Sequence, residues 1–233
     1  MRVRIKFSKH GVMKFIGHLD IMRYFQKAIR RGEIDIAYSG GFSPHQIMSF
    51  AAPLGVGYYS NGEYLDIEVN SHQGRQDMLD RLNRVMVEGI RVLNVAALPD
   101  DAGNAMASVA AAGYTIQWKE GYAPLTDFDK KVNAFLHQDT ILVTRQTKKS
   151  ELSLDLKPGI YELKATAHTL YMLVDASSKG NIKPTLLLEA LYRFAGEDFD
   201  PLSIQITREE TYTNTGKGKQ LQVVPLDAVG ENF

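Results

Sequence analysis

The segment YSGGFSPHQ, residues 38–46, brings together chemical groups that could hold a phosphate or a nucleobase. Its two glycines can adopt backbone conformations closed to other residues, and they let amide groups approach a phosphate closely. Its phenylalanine could stack on a base, and its serine and histidine offer a hydroxyl and an imidazole. The segment matches neither the P-loop nor the dinucleotide-binding fingerprint, so it predicts a binding loop without fixing a reaction. A turn around a buried phenylalanine is the alternative. The candidate ligand-binding residues of this loop are Gly40, Gly41, Phe42, Ser43 and His45.

A second group of candidates stands earlier in the chain, in the stretch GHLD. His18 lies at a predicted strand-to-helix junction, and Asp20 has the residue type and position of an N-cap. Because the N-terminus of a helix attracts anions, His18 could act there as a general base, a phosphate ligand or a metal ligand. A packed capping histidine is the alternative. His18 and His45 are the two catalytic candidates, and Asp20 and Glu63 join the ligand-binding set. The spacing of these residues demands no metal, and we predict neither a metal nor a cofactor.

The helix predicted after Asp20 carries an apolar stripe and a basic stripe. Ile21, Phe25 and Ile29 recur at helical spacing, and Gly32 ends the pattern. Guanidinium groups bind phosphate through paired N–H donors and stack on bases, so an arginine-rich side suits a polyanion. A solvated helix face is the alternative. The four basic residues that fall on this side are Arg23, Lys27, Arg30 and Arg31.

The charges of the 233-residue chain sum to zero but are unevenly distributed. Residues 1–31 hold nine basic side chains and one acid, a net charge of +8, and the remainder carries −8. This asymmetry indicates a segment that faces a polyanion. The absence of cysteine excludes disulfides, thiol nucleophiles and iron–sulfur clusters held by the chain's own thiolates. We predict a cytoplasmic protein with no membrane partner, because no stretch has the length and apolar character of a membrane span or of a secretory signal.

The order of the predicted elements repeats along the chain. Each half predicts a strand, a helix, two strands, a helix and a strand, which is the split βαβ arrangement. We therefore predict an α+β protein of two tandem ferredoxin-like sandwiches with antiparallel sheets. The junction is placed near residue 105, so that residues 1–105 carry the motifs and residues 106–233 form a second domain with a C-terminal tail. The elements predicted in the first half are a strand at 2–8, a helix from 21 to 31, strands at 34–39 and 62–69, a helix at 75–90 and a strand at 91–98.

A series of short motifs occurs in order within residues 5–70. They are His18-Leu19-Asp20, Arg23, Arg30-Arg31, Gly41-Phe42-Ser43-Pro44-His45, Pro53-Leu54 with Gly57, and Gly62-Glu63-Tyr64. With these motifs the chain resembles the bacterial radical-SAM-associated family, a domain of unknown function. Members of that family are free-standing proteins of this length or C-terminal extensions of a radical SAM enzyme. Ser43 departs from the family pattern, in which asparagine is common, and Gln46 stands where proline is common.

The resemblance implies a radical SAM enzyme as partner. Because the chain has no cysteine, it cannot hold the three-cysteine cluster of that chemistry, and the implied role is an accessory one, such as presenting the substrate. The resemblance also associates the family with ribosome and RNA metabolism, so it implies transfer or ribosomal RNA as the ligand.

Two alternatives come from other functional classes. Tandem ferredoxin-like domains with a histidine and a glycine-rich loop are similar to the CRISPR repeat-processing endoribonucleases. In such a metal-independent endoribonuclease, His18 or His45 would move the proton of the ribose hydroxyl, while Arg23 and Arg30 would stabilise the developing charge. A protein-interaction scaffold, whose basic helix docks on an acidic partner, is the other alternative.

Overall fold

The computed structural model describes residues 1–146, 151–216 and 220–233. In this part of the chain the architecture is mixed α/β, with five helices and mostly antiparallel strands. The residues form two compact units. The first comprises Met1–Ala110 and Arg208–Phe233, and the second comprises Ala111–Thr207. Residue 147 of a predicted strand and residues 217–219 of the predicted tail lie outside the described residues.

The first unit contains the predicted order of strand, helix, two strands, helix and strand. Its elements are β1 (Arg2–Lys9), α1 (His18–Arg31), β2 (Met48–Phe50), β3 (Tyr59–Glu68), α2 (Arg75–Val85), β4 (Ile90–Ala97) and the four-residue α3 (Ala105–Ser108). A short 3₁₀ helix, Gly11–Phe15, connects β1 to α1. The strands β4, β1 and β3 are neighbours in that order, β2 also pairs with β3, and each of these pairs is antiparallel. Residues 208–214 belong to a later strand that lies beside β3 in the sheet. Val223–Pro225 pairs with that later strand.

Two local predictions in this unit are wrong. α1 begins at His18 with Gly17 as its N-cap, so Asp20 lies in the first turn of the helix and does not cap it. The strand predicted at residues 34–39 is reduced to two isolated bridges, and the second strand forms after the loop, as β2. The reason is competition for one edge of β3, where β2 occupies the positions opposite residues 65–67.

The core of the first unit follows from the alternation of β1 and β3. Val3, Ile5 and Phe7 are buried against the apolar stripe of α1. The opposite side of β1 is not a solvated basic face. Arg4 is fully buried, and its guanidinium donates to both carboxylate oxygens of Asp66 at 2.7 and 2.8 Å. Part of the N-terminal positive charge is therefore neutralised inside the unit.

The second unit repeats the order of the first and adds a hairpin. Its elements are β5 (Ala111–Trp118), α4 (Phe128–Leu136), β6 (Leu142–Gln146), β7 (Glu151–Asp155), β8 (Ile160–Ala165), β9 (Thr169–Asp175), α5 (Pro184–Phe194) and the first residues of β10 (Ile204–Asn214). The strand order is β10, β5, β9 and β8, and within the described residues β6 pairs only with β7. None of the predicted site residues lies in this unit.

Candidate functional site

The exposed side of α1 presents three of the four predicted basic residues. Arg23, Lys27 and Arg30 are exposed on the side of the helix opposite its buried stripe. Asp20 accepts a hydrogen bond from Arg23 at 3.3 Å, and this ion pair is largely exposed, so it contributes little to stability. Arg31 points elsewhere, because its guanidinium donates to the Val85 carbonyl at the end of α2.

The glycine-containing loop is a hairpin closed by its own residues. Tyr38 and Gln46 form an isolated β-bridge, and the Ser39 amide donates to the His45 carbonyl at 2.9 Å. The Ser39 hydroxyl also lies 2.8 Å from His45 Nδ1 and accepts the His45 amide, which fixes the imidazole at the base of the loop. Gly41 has a φ of +101°, a conformation that favours glycine. Gly40 and Ser43 lie beside it and are exposed.

Phe42 lies at the tip of this hairpin and is completely exposed. Its relative accessibility of 112% exceeds that of the residue in an extended chain, so the alternative of a turn around a buried phenylalanine is wrong. An exposed aromatic ring offers both of its faces to a flat partner such as a base. The loop therefore presents a stacking surface.

The base of the loop lies against the middle of α1. The Gln26 carbonyl accepts hydrogen bonds from Gln46 Nε2 and from Arg30 Nε, both at 3.3 Å. Gln46 is buried in this position, so its side chain packs between the base of the loop and the helix. One carbonyl thus connects the loop to the basic side of the helix.

His18 lies at the other end of the same helix and does not share a pocket with His45. Its ring packs edge-on against Phe50, with the ring centroids 5.5 Å apart. The four residues from Gln46 to Phe50 span about 13 Å in extended conformation, and the eight residues from His18 to Gln26 span about 12 Å of helix. The two segments therefore run side by side, with His18 at one end and the loop near the other. The candidate residues of the helix and of the loop therefore lie along an extended surface.

A cavity of about 20 Å³ lies beside the first turn of α1. Apolar side chains form most of its wall, and three polar side chains face it, those of Lys9, His18 and Glu63. Lys9 and Glu63 are almost fully buried, with 3% and 6% of their surfaces exposed. Lys9 Nζ donates to the Ile16 carbonyl at 2.8 Å. The apolar wall residues are Phe7, Ile21, Phe50, Ala52 and Leu54.

Glu63 is held in place by neighbours on its own strand and on β10. Its Oε1 accepts hydrogen bonds from the Ser60 hydroxyl at 2.7 Å and from the Arg208 guanidinium at 3.0 Å. Arg208 also donates to the carbonyls of Ala52 and Pro53, which places the Pro-Leu motif beside the cavity. The glutamate of the Gly-Glu-Tyr motif is therefore part of a buried charged cluster, which we call the Glu63 cluster: Lys9, Glu63 and Arg208.

Burial lowers the pKa of the Lys9 ammonium below its ordinary value of 10.5. The Glu63 carboxylate opposes this shift and the Arg208 guanidinium adds to it. A lowered pKa means that Lys9 gives up its proton more readily than an exposed lysine does.

Sequence reasoning found His18 and Glu63 but missed Lys9 and Arg208, although the sequence contains a signal for both. Lys9 continues the core-facing series Val3, Ile5, Phe7, and Glu63 precedes the core-facing series Leu65, Ile67, Val69 in β3. Arg208 in turn continues the series Ile204, Ile206 in β10. A charged residue at an inward position of an alternating strand is costly to bury unless it is paired, so it marks a candidate site.

Among the described residues, no three histidine or carboxylate side chains come close enough together to hold a metal ion. No helix in the described part of the chain has the length and apolar character needed to cross a membrane.

Comparison with known proteins identifies the family. A family model described as "Uncharacterized protein conserved in bacteria (DUF2344)" matches residues 2–184. The chain belongs to this family. The matched range contains every predicted site residue and Lys9, but not Arg208.

The other comparisons are more distant. One solved structure to which the chain is similar is the crystal structure of a Cbf5-Nop10-Gar1 complex, with 7% sequence identity and a TM-score of 0.45. The similarity covers 90% of this chain and 48% of that chain, so this chain spans about half of its length. A search of the curated proteins finds no match.

Proposed function

We propose that this chain is an RNA-binding accessory protein of a radical SAM enzyme system. The RNA, transfer or ribosomal, would bind along the exposed basic side of α1 and the adjacent loop. We call this surface the α1–loop strip: Arg23, Lys27, Arg30 and residues 38–46. The observation that carries the proposal is the Gln26 carbonyl shared by Arg30 and Gln46, because it connects the exposed guanidinium groups to the loop that bears Phe42.

The strip combines the two interactions that hold single-stranded RNA. Arginine side chains neutralise phosphates, and an exposed aromatic ring stacks on an unpaired base. Phe42 requires a base that is not already stacked in a duplex, so we expect loops, bulges and single strands to be preferred over double-stranded RNA. An extended strip also suits several consecutive nucleotides better than one small ligand.

The binding experiment measures the affinity of purified protein for a fluorescent single-stranded RNA. We expect Phe42→Ala to weaken binding by about 1–3 kcal/mol, the contribution of one stacked base. The fold should be unchanged, because Phe42 is fully exposed. Tyr122→Ala, which removes an exposed aromatic ring of the second unit, is the matched control and should bind like the unmodified protein. Equal affinities for all three proteins would refute base stacking at the loop.

The radical SAM part of the proposal rests on the motifs between residues 5 and 70 and on the lack of cysteine. Crosslinking in cells, with sequencing of the recovered RNA and mass spectrometry of the recovered protein, tests both partners at once. We expect a defined RNA together with a radical SAM enzyme. Recovery of protein partners without RNA would favour the interaction scaffold instead.

A metal-independent endoribonuclease is the second candidate, and the position of His18 favours it. The His18 imidazole has no hydrogen-bond partner among the described residues, so it is available beside buried Lys9. His45, in contrast, is bonded to Ser39. If the protein cleaves RNA, His18→Ala should abolish scission while leaving binding nearly unchanged, and His45→Ala should have the smaller effect. Intact RNA after incubation with the unmodified protein, without metal at neutral pH, would argue against cleavage.

We infer further that both units are ferredoxin-like sandwiches. The strand orders β4-β1-β3-β2 and β10-β5-β9-β8 support this assignment, because each follows the same path through a strand, helix, strand, strand, helix and strand. The hairpin of β6 and β7 would then be an insertion in the second sandwich. An experimental structure of the chain with a different strand order in either unit would refute it.

A further inference from the structure

The cavity beside α1 presents a hydrogen-bond donor and an acceptor that do not meet. Glu63 Oε1 is occupied by Ser60 and Arg208, whereas Glu63 Oε2 has no hydrogen-bond partner among the described residues. Lys9 Nζ has one partner there, the Ile16 carbonyl, so two of its three N–H donors are unused. Lys9 and Glu63 both line the cavity, yet no ion pair within 4 Å joins them in the described part of the chain.

The gap between these two groups is complementary to a hydroxyl group. A hydroxyl can accept from Lys9 and donate to Glu63 at the same time. A phosphate oxygen only accepts and would face the carboxylate, and an ammonium only donates and would face Lys9. The cavity volume of about 20 Å³ admits one group of the size of a water molecule. Its apolar wall suits the carbon atom that carries the hydroxyl.

The cavity is reached from the same helix that forms the α1–loop strip. His18, Ala52 and Leu54 line it and are only half-buried, so they form its mouth. His18 lies about 12 Å along α1 from Gln26, where the loop is attached. The mouth of the cavity therefore lies at the N-terminal end of the helix whose exposed side forms the strip.

We propose that this cavity binds a ribose 2′-hydroxyl of the RNA and that the protein thereby distinguishes RNA from DNA. The inference rests on the proposed function, because it assumes that nucleic acid follows the α1–loop strip. The 2′-hydroxyl is the group that RNA has and DNA lacks, and it is both a donor and an acceptor. When DNA is bound, the unused donors of Lys9 and the unused acceptor of Glu63 stay without a protein or ligand partner, or they hold a water molecule. When RNA is bound, its 2′-hydroxyl accepts a hydrogen bond from Lys9 and donates one to Glu63.

The decisive experiment uses the unmodified protein and three oligonucleotides of one sequence: RNA, DNA and 2′-O-methyl RNA. Fluorescence anisotropy at a fixed salt concentration should show DNA and 2′-O-methyl RNA binding roughly tenfold more weakly than RNA, the cost expected when a buried hydrogen-bonding pair is left unsatisfied. The methyl ether is informative because it cannot donate to Glu63 and is too large for the cavity. Equal affinity for RNA and DNA would overturn this inference while leaving the proposed function intact. Failure of all three to bind would overturn the proposed function and the inference with it.

Variants of the cavity locate the preference. Glu63→Gln keeps the shape of the side chain but replaces the carboxylate, which only accepts hydrogen bonds, by an amide, whose nitrogen only donates. RNA affinity should therefore fall to the level of DNA affinity. Lys9→Met is the second variant, and it should have the same effect while leaving the Glu63–Arg208 pair in place. Phe42→Ala, outside the cavity, should weaken RNA and DNA equally. If Lys9→Met folds and retains the full preference for RNA, the cavity is not the site of discrimination.

Discussion

The salt dependence of RNA binding tests the α1–loop strip most directly. Of the four basic residues predicted to bind, three are exposed on one side of α1, and Arg31 is bonded to Val85 instead. Three phosphate contacts on a single strand give a slope of log K against log salt of about −2, so affinity should fall roughly 20-fold between about 50 and about 200 mM salt. Replacing Arg23 and Arg30 by alanine leaves one contact, a slope of about −0.7 and a fall of roughly threefold over the same range.

The control for this experiment removes the same charge elsewhere. Arg91 in β4 and Arg193 in α5 are exposed, so Arg91→Ala combined with Arg193→Ala lowers the net charge equally without touching the strip. Fluorescence anisotropy titrations at several salt concentrations should give this control the slope of the unmodified protein. If both double variants lower the slope equally, the binding is a response to net charge and the strip has no special role.

Three further predictions concern the interior of the first unit. Arg4→Met should cost about 3–5 kcal/mol in urea unfolding, because it leaves buried Asp66 without its partner, and adding Asp66→Leu should recover most of that loss. Burial, together with two neighbouring carboxylates, raises the pKa of the Tyr64 phenol above its ordinary value of 10.0. The folded protein keeps this proton where the unfolded chain loses it, so stability should fall as pH rises above about 10, and Tyr64→Phe should reduce that alkaline slope. Gly62→Ala should cost about 1–3 kcal/mol in thermal unfolding, since its Cβ would lie 2.6 Å from Glu210 Cα, and an unchanged melting temperature would contradict this close strand contact.

The elements of the first unit were largely predictable because their patterns are local. The alternation of β1 and β3 and the stripe of α1 each identify one face, and the structure buries those faces. The failures occur where the outcome depends on distant residues. Residues 34–39 alternate like a strand, but β2 takes the edge of β3 that they would need. The end of α1 was predicted at Gly32 and is observed there, whereas its start lies two residues before the predicted cap.

The site was predictable in its residue types but not in its arrangement. Spacing placed Arg23 and Arg30 on one side of a helix, yet it could not show that Gln46 returns to the carbonyl beside Arg30. Nor could it show that Arg4 pairs with a residue 62 positions away and contributes no surface charge. The Glu63 cluster was hidden for the same reason, since Arg208 lies 145 positions from Glu63. Local patterns identify a charged residue at an inward position, but only the fold supplies its partner.

The division of the first unit between two separated segments has a consequence for how the protein is made. Residues 1–110 leave the ribosome before Arg208 and the segment that follows it have been made. Glu63 would then lack its guanidinium partner and Arg4 its contact with the Leu226 carbonyl. The later-encoded unit, which is continuous, can therefore mature before the earlier one. We therefore expect the second unit to fold before the first is complete, and a nascent chain arrested before residue 208 should be digested by protease within residues 1–110.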